Sequence, residues 1–185
     1  MRSTCRISVA LAVSCGLLGA VGDAVTAEDA MDFALTSGAF THGEALPSTH
    51  TCDGADRSPA LAWSAPPAGT KSLALIVDDP DAPRGRWVHW VVYNLPPALR
   101  GLPEAFPQAA ALPDGTRQGR TDFGRTGYGG PCPPSGTHHY HFTLYALDTL
   151  LLLGPGAATQ ELEQAMRGHI LAQATLMGTY RRQGR

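Results

Sequence analysis

Apolar runs and alternating residues predict a mainly β protein. Residues Leu73–Val77 are apolar without interruption, as in a strand that is buried on both faces. Trp87–Tyr93 is rich in aromatic and β-branched residues and is followed by the turn Asn94–Pro97. His139–Leu147 alternates between two kinds of side chain, as a strand with one buried face does. We therefore predict three main strands.

Weaker patterns predict shorter elements. Further strands are predicted over Phe33–Phe40, Ala60–Trp63 and Leu171–Tyr180. Apolar residues recur at helical spacing after Thr159, which would be the N-cap of one helix, and Gly168 would end that helix. The chain shows no internal repeat and no domain boundary, which indicates one mainly β domain.

Segment 96–136 is unusually rich in Gly and Pro. So long a stretch without regular structure is either functional or disordered in a compact domain. Its aromatic residues and the rigid end Pro131–Pro134 favour an ordered system of loops. Binding sites are often built from such loops on a β scaffold.

Composition narrows the class of partner. The chain has 14 Lys and Arg against 16 Asp and Glu, and its formal net charge is −2. It has no basic excess that could neutralise a phosphate backbone, so no nucleic-acid partner is expected. The 21 Gly and 15 Pro also disfavour a bundle of long helices.

The N-terminus carries the three parts of a secretory signal. Arg2 and Arg6 precede the apolar run Ile7–Ala20, and the small residues of Val25–Ala27 suit a cleavage site. The run is short for a membrane-spanning helix, which needs about 20 apolar residues. Residues 1–27 are therefore predicted to be a signal peptide.

Cleavage would leave residues 28–185 as the domain of a periplasmic or secreted protein without stable membrane insertion. An uncleaved anchor and a lipid attached to Cys15 are the two alternatives.

Cys52 and Cys132 remain in the mature chain. In an oxidising compartment they predict one disulfide, and two buried free thiols are the alternative.

An acidic corner follows the first of the main strands. Asp79 and Asp81 lie within Asp78–Pro83, where two prolines restrict the backbone. The two carboxylates would therefore point in set directions. The alternative is a solvated turn whose carboxylates accept hydrogen bonds from nearby backbone N–H groups.

A histidine on the second main strand is a further candidate. Strand alternation would place His89 on one face with Trp87, Val91 and Tyr93. A histidine among such residues can also be a structural part of the core. The functional and the structural interpretation both stay open at this point.

The third main strand adds a second imidazole. Alternation places His138 and Tyr140 on its apolar face. With His89, Asp79 and Asp81, His138 supplies residue types that bind metals. The chain has neither an HExxH helix nor paired CxxC motifs, and no GxSxG turn marks a nucleophile. We therefore expect no metal and no other cofactor.

Five segments occur in a characteristic order. They are Ser58–Trp63, Asp79–Pro83, Trp87–Trp90, Gly127–Gly136 and His138–Tyr140. In this order they resemble the phosphatidylethanolamine-binding protein family, in its bacterial branch of Raf-kinase-inhibitor-like proteins. The resemblance extends from about Phe33 to Tyr180.

The resemblance implies a Greek-key-like antiparallel β sandwich with one or two short helices and long Pro/Gly-rich loops. It also implies a metal-free pocket at one end that binds anionic groups such as phosphoethanolamine. The ligand-binding residues that it implies are Asp79, Asp81, Pro83, His89, Cys132, Pro133, Pro134, His138 and Tyr140. Asp56 departs from the pattern, because bacterial relatives commonly have asparagine there.

The expected function is that of an exported, non-enzymatic binding protein for a small anionic ligand. One alternative is an inhibitor of a kinase or protease that acts through the surface around the pocket. The other is an enzyme that uses His89, His138 and Asp79 as acid and base. Carboxylates beside a bound anion would repel it unless protonated imidazoles at His89 and His138, or a proton shared between an Asp and the ligand, compensate. We expect anion affinity to rise as the pH falls through the histidine range.

Overall fold

Eight strands, one α-helix and one 3₁₀ helix make up the described part of the chain. The computed structural model describes residues 33–182. The strands are β1 (Leu35–Ser37), β2 (Leu61–Trp63), β3 (Ser72–Asp79), β4 (Trp87–Leu95), β5 (Gly101–Leu102), β6 (Arg117–Gln118), β7 (His138–Leu147) and β8 (Ile170–Tyr180). The α-helix is α1 (Thr159–Met166), and the 3₁₀ helix covers Ser48–His50. The predicted signal peptide, residues 1–27, lies outside the described residues.

Two antiparallel sheets form a sandwich around the main core. The larger sheet has the strand order β6-β4-β3-β7-β8, and the smaller one has the order β1-β2-β5. Leu35 and Trp63 of the smaller sheet pack with Val77, Trp90 and Phe142 of the larger one. The prediction of a mainly β, antiparallel sandwich is confirmed.

A second core lies on the other face of the larger sheet. There Ile76 and Val91 pack with Leu162 and Met166 of α1. Because β3 is the middle strand, its alternate side chains enter the two cores and every residue except Asp78 is buried. This explains the unbroken apolar run Leu73–Val77. None of the helices within residues 33–182 is long and apolar enough to cross a membrane.

The start of α1 and the extent of β1 differ from the prediction. Thr159, the predicted N-cap of α1, is its first helical residue, and Ala158 is the N-cap. The Ala158 N–H donates to the Glu161 carboxylate at 2.8 Å, which satisfies one N-terminal donor. Strand β1 covers only Leu35–Ser37 of the predicted Phe33–Phe40, because it pairs with the three residues of β2.

The Pro/Gly-rich segment 96–136 packs against the larger sheet. Gln118 is buried, and its Nε2 donates to the carbonyl oxygens of Pro107 at 2.6 Å and Ala109 at 2.8 Å. Its Oε1 accepts a hydrogen bond from Trp90 Nε1 at 2.7 Å. One side-chain amide thus ties two stretches of this segment to β4.

Candidate functional site

The predicted site residues meet where β3 ends and where β4 and β7 begin. Because neighbouring strands are antiparallel, Asp79 at the end of β3 lies at the same sheet edge as Trp87 and His138. A cavity of about 300 Å³ opens at this edge. Its lining residues are Asp79, Ala82, Pro83, Arg84, Trp87, His89, Phe123, Cys132, Pro133, Pro134 and His138. Of the predicted ligand-binding residues, only Asp81 and Tyr140 are not in this lining.

A β-bulge interrupts β4 at His89. Between β3 and β4 the register passes from the pair Val77 and Trp90 to the pair Asp78 and Val88. His89 is therefore an extra residue on β4. A bulge of this kind breaks strand alternation and re-aims a side chain.

The bulge corrects the predicted environment of His89. Val91 and Tyr93 lie in the core beneath α1. His89 instead packs its ring edge-on against Tyr140, with the ring centroids 5.2 Å apart, and Tyr140 belongs to the core between the sheets. The prediction that His89 shares a face with Val91 and Tyr93 is wrong, because alternation does not continue through the extra residue.

The buried imidazole of His89 is uncharged near neutral pH. Its Nδ1 lies 2.6 Å from the carbonyl oxygen of Gly129, so this nitrogen carries a proton and donates it. Burial lowers the pKa of His89, although the bond to Gly129 and the charge of Asp79 oppose that effect. Nε2 is then an acceptor. The protonated His89 that the sequence analysis invoked to balance the carboxylates is therefore disfavoured by burial.

Asp79 and His138 form a buried hydrogen-bonded pair. His138 Nδ1 lies 2.7 Å from Asp79 Oδ2, and the two side chains are 8% and 5% exposed. The other oxygen of Asp79 accepts the Asp81 N–H at 2.8 Å. Both carboxylate oxygens thus accept a hydrogen bond. Because Nδ1 of His138 is used in this pair, Nε2 is the ring nitrogen that stays available for a ligand.

Asp81 joins the acidic corner to β7. Its Oδ2 accepts the backbone N–H of His139 at 2.8 Å and lies 2.7 Å from Nδ1 of the same residue. These hydrogen bonds lower the pKa of Asp81. Asp81 therefore sits outside the cavity and, with Asp79, attaches the corner to the first two residues of β7.

Tyr140 lies beside His89 in the core. Its side chain is almost fully buried, and its hydroxyl interacts with the carboxylate of Asp79. Burial and the negative charge of Asp79 raise the pKa of Tyr140. The hydroxyl therefore keeps its proton and can act as a donor next to the site.

A disulfide closes one side of the cavity. Cys52 and Cys132 are bonded, with an S–S distance of 2.09 Å and a Cα–Cα distance of 5.4 Å. This confirms the predicted disulfide and excludes the alternative of two free thiols. Cys132, Pro133 and Pro134 line this side of the cavity. We call Cys132–Thr137 the wall segment.

The glycine before the wall segment lets two loops approach closely. The Gly130 N–H donates to Asp56 Oδ1 at 2.6 Å. A Cβ on Gly130 would lie 2.5 Å from the carbonyl oxygen of His50 and 2.6 Å from that same Oδ1. Any other residue would force the loops apart. Asp56 thus provides the acceptor oxygen that joins the two loops at this point.

Arg84 is a residue of the cavity that the sequence analysis did not predict. It lines the cavity mouth, is exposed, and has no hydrogen bond or ion pair to another residue within 33–182. Its position directly after Pro83, in the rigid acidic corner, is the signal that could have identified it.

Phe123 joins the site from the Pro/Gly-rich segment. Its ring lies edge-on to Trp87 and His89, with centroid distances of 5.5 Å and 5.3 Å, and the residue is 40% exposed. The sequence places Phe123 in a long loop, and only the fold brings it to the cavity.

No group of three or more His, Cys, Asp or Glu side chains within 33–182 is arranged to hold a metal ion. In the cavity, both oxygens of Asp79 and Nδ1 of both histidines are already hydrogen-bonded. The expectation of a metal-free site stays a prediction. What the arrangement offers chemically is one guanidinium, two imidazole Nε2 atoms and apolar walls.

Comparison with known proteins relates this chain to one family. Residues 36–181 match the family model described as phosphatidylethanolamine-binding protein. A UPF0098 protein of Methanothermobacter thermautotrophicus is 54% identical over 148 residues, which is 80% of this chain and 98% of the relative. A UPF0098 protein of Aquifex aeolicus is 50% identical over 149 residues, covering 79% of this chain and 86% of the relative.

Two solved structures resemble the fold. The crystal structure of a PEBP homologue from Chlamydia trachomatis has a TM-score of 0.75 and 43% identity, covering 82% of this chain and 99% of the other. E. coli YbcL, described as a member of the mammalian PEBP family, has a TM-score of 0.75 and 36% identity with the same coverage. These descriptions name no reaction.

Proposed function

Because the chain belongs to the phosphatidylethanolamine-binding protein family, we propose that it is an exported, non-enzymatic protein whose cavity binds a small anionic group. The group is a phosphate monoester head group or a carboxylate. Family membership supports the binding-protein class. The preference for an anion rests on one observation, the unpaired guanidinium of Arg84 at the cavity mouth.

The charge balance of the cavity supports an anionic ligand. The carboxylate of Asp79 already accepts hydrogen bonds from His138 and from the Asp81 N–H. Arg84 has no such partner among the described residues. A phosphate or carboxylate would give it a charge-assisted, bidentate contact, which is the strong form of this interaction.

The neutral imidazole of His89 suits a phosphate that keeps one proton. The second pKa of a phosphate monoester is about 6, so its monoanion carries a P–OH group just below neutral pH. That hydroxyl can donate to Nε2 of His89. Trp87, Phe123 and Pro134 would contact the carbon part of the ligand, as apolar walls do in small-molecule sites.

The lining of the cavity supports a role without catalysis. It includes no serine or threonine hydroxyl, and its one cysteine, Cys132, is bonded to Cys52. The buried pair of Asp79 and His138 could move a proton, but neither a hydroxyl nor a free thiol nucleophile is among the lining residues.

Export is supported by the signal-like N-terminus together with the disulfide, which is typical of oxidising compartments. The measurement is N-terminal sequencing of the protein from its own cell envelope or medium. We expect a chain that begins at Glu28. A cytoplasmic chain that still begins at Met1 would contradict export.

The ligand is tested by calorimetric titration at pH 6.5 with O-phosphorylethanolamine, inorganic phosphate and acetate. Arg84→Ala should weaken the binding of the best of the three by at least about tenfold, because the anion loses its charge-assisted contact with a partly exposed guanidinium. Lys71→Ala removes the same charge at the other end of β3 and is the matched control. Equal affinities for both variants, or no binding of any anion, would contradict the proposal.

A second candidate is a protein partner that binds around the cavity mouth. It is favoured by the exposed ring of Phe123 and by the guanidinium of Arg125, which lies 5.7 Å from that ring. Exposed aromatic and arginine side chains dominate the energetics of many interfaces. Under this alternative, Phe123→Ala abolishes capture of a partner from the host envelope, whereas Asp79→Ala leaves it intact.

A further inference from the structure

Cys132 belongs both to the cavity and to the disulfide. It lines the cavity, and it is bonded to Cys52, which lies 80 positions earlier in the chain. Both cysteine residues are exposed. Exposed disulfides are the ones that small thiols and redox enzymes can reach. The bond therefore joins two solvent-exposed residues, one of which forms part of the site.

The wall segment has few other attachments. Among the described residues, Cys132–Thr137 makes no backbone or side-chain hydrogen bond. The nearest attachment before it is the Cys52 N–H, which donates to the Pro131 carbonyl at 3.1 Å. After it, His138 begins the ladder of β7 with β8. Apart from the packing of Pro133, the disulfide is what holds this wall in place.

The residues on either side of the wall segment are bound independently of the disulfide. The Gly129 N–H donates to the His89 carbonyl at 3.0 Å, and the Gly129 carbonyl accepts from the His89 ring. The Tyr128 hydroxyl donates to the His50 carbonyl at 2.8 Å. Loss of the disulfide would therefore release the wall and leave the neighbouring core attached.

We propose that the disulfide between Cys52 and Cys132 is a redox latch on the cavity. Two-electron reduction by a dithiol releases the wall segment and weakens ligand binding, and oxidation restores the closed wall. The affinity readout rests on the function proposed above, whereas the release of the wall does not.

Reduction of the disulfide by the dithiol takes place in two thiol–disulfide exchange steps. One thiolate of the dithiol attacks Sγ of Cys132, the S–S bond breaks, and Cys52 leaves as a thiolate that takes up the proton of the attacking thiol. The second thiol of the reductant then displaces Cys132 from the mixed disulfide. The protein gains two electrons and two protons, and the dithiol becomes a disulfide.

The coupling must be reciprocal. If reduction lowers affinity by populating an open wall, a bound ligand lowers the tendency of the disulfide to be reduced by the same factor. The observed affinity is the affinity of the closed form multiplied by the fraction of molecules whose wall segment is in place. A wall segment that is in place one-tenth of the time therefore gives about a tenfold loss.

The test is limited digestion with proteinase K, with and without dithiothreitol, with cut sites read by mass spectrometry. We expect cleavage within 133–137 only in the reduced protein, while the rest of 33–182 stays resistant. The double variant Cys52→Ser/Cys132→Ser is the control, and it should be cut in the same place whether or not dithiothreitol is present. Unchanged cleavage on reduction would overturn the proposal. So would digestion of the whole domain at once, because the disulfide would then hold the fold and not the wall.

The second arm measures O-phosphorylethanolamine affinity by calorimetry in both redox states. We expect about a tenfold weaker affinity after reduction, and equal affinities would overturn the latch. If neither state binds any tested anion, the proposed function fails by itself, and the cleavage pattern alone then decides the latch.

Discussion

Asp79 and His138 join the end of β3 to the start of β7 through a hydrogen bond of 2.7 Å that is almost completely buried. The pair has an exposed counterpart in Asp148 and His169, which lie at the same distance of 2.7 Å but are each nearly half exposed. The two pairs share their chemistry and differ in solvation, which makes them a natural comparison.

Removal of the buried carboxylate should be far more costly than removal of the exposed one. Asp79→Ala leaves the His138 Nδ1 and the Asp81 N–H without their acceptor, so we expect the free energy of unfolding to fall by about 3 kcal/mol. Asp148→Ala should lower it by less than about 1 kcal/mol, because exposed pairs contribute little. Urea denaturation followed by circular dichroism measures both. Similar losses for the two variants would show that Asp79 is not the structural link that its burial indicates.

The environment of His89 predicts how stability depends on pH. Its pKa in the folded protein is below the usual 6.5, so the unfolded chain binds more protons as the pH falls through the histidine range. His89 therefore contributes stability that is present above pH 6.5 and is lost progressively as the pH falls toward the folded pKa.

The measurement is urea denaturation of the wild type and of His89→Gln between pH 5 and 8. The variant should have a flatter dependence in this range, because it lacks the titrating group. A titration of the His89 ring by NMR should give a midpoint below 6.5. A midpoint above that value would contradict the dominance of burial over the charge of Asp79.

A methyl group at Gly130 should disrupt the contact between two loops beside the cavity. Its Cβ would lie within 2.6 Å of both the His50 carbonyl oxygen and Asp56 Oδ1, so one of the loops must move. We expect Gly130→Ala to lower the free energy of unfolding by more than about 2 kcal/mol.

Gly38→Ala is the matched control, because nothing lies within 4 Å of the added Cβ. Its effect should stay within about 0.5 kcal/mol. Thermal unfolding of both variants provides the comparison, and equal melting temperatures would contradict the close approach at Gly130.

Reduction of the disulfide should lower stability without unfolding the domain. The bond closes a loop of 80 positions, which corresponds to about 4 kcal/mol in the chain-entropy account. For a domain of this size we expect the melting temperature to fall by about 10 °C. Calorimetry with and without dithiothreitol measures the shift, and the Cys52→Ser/Cys132→Ser variant should show no further change on reduction. An unchanged melting temperature in the wild type would argue against the bond being formed in solution.

Most of the fold followed from local patterns. The run Leu73–Val77 predicted a strand buried on both faces, and the alternation of His139–Leu147 correctly assigned Tyr140 and Phe142 to the core. These predictions were possible because burial selects apolar side chains at the period of the backbone. The bulge at His89 was not predictable in this way, since an extra residue leaves no mark on composition and moves the residues after it, such as Val91 and Tyr93, to the other face.

The amino-acid sequence by itself determined the β character of the chain, its family and most of the residues around the cavity, because these depend on residue type and order. Only the tertiary structure decided which residues line the cavity and which of them are charged. It placed Asp81 outside the cavity against His139, and it brought Arg84 and Phe123 to the mouth. It also buried His89 deeply enough to remove its charge. Contacts between residues far apart in the chain and the extent of solvation are properties of the packed molecule, and no local pattern encodes them.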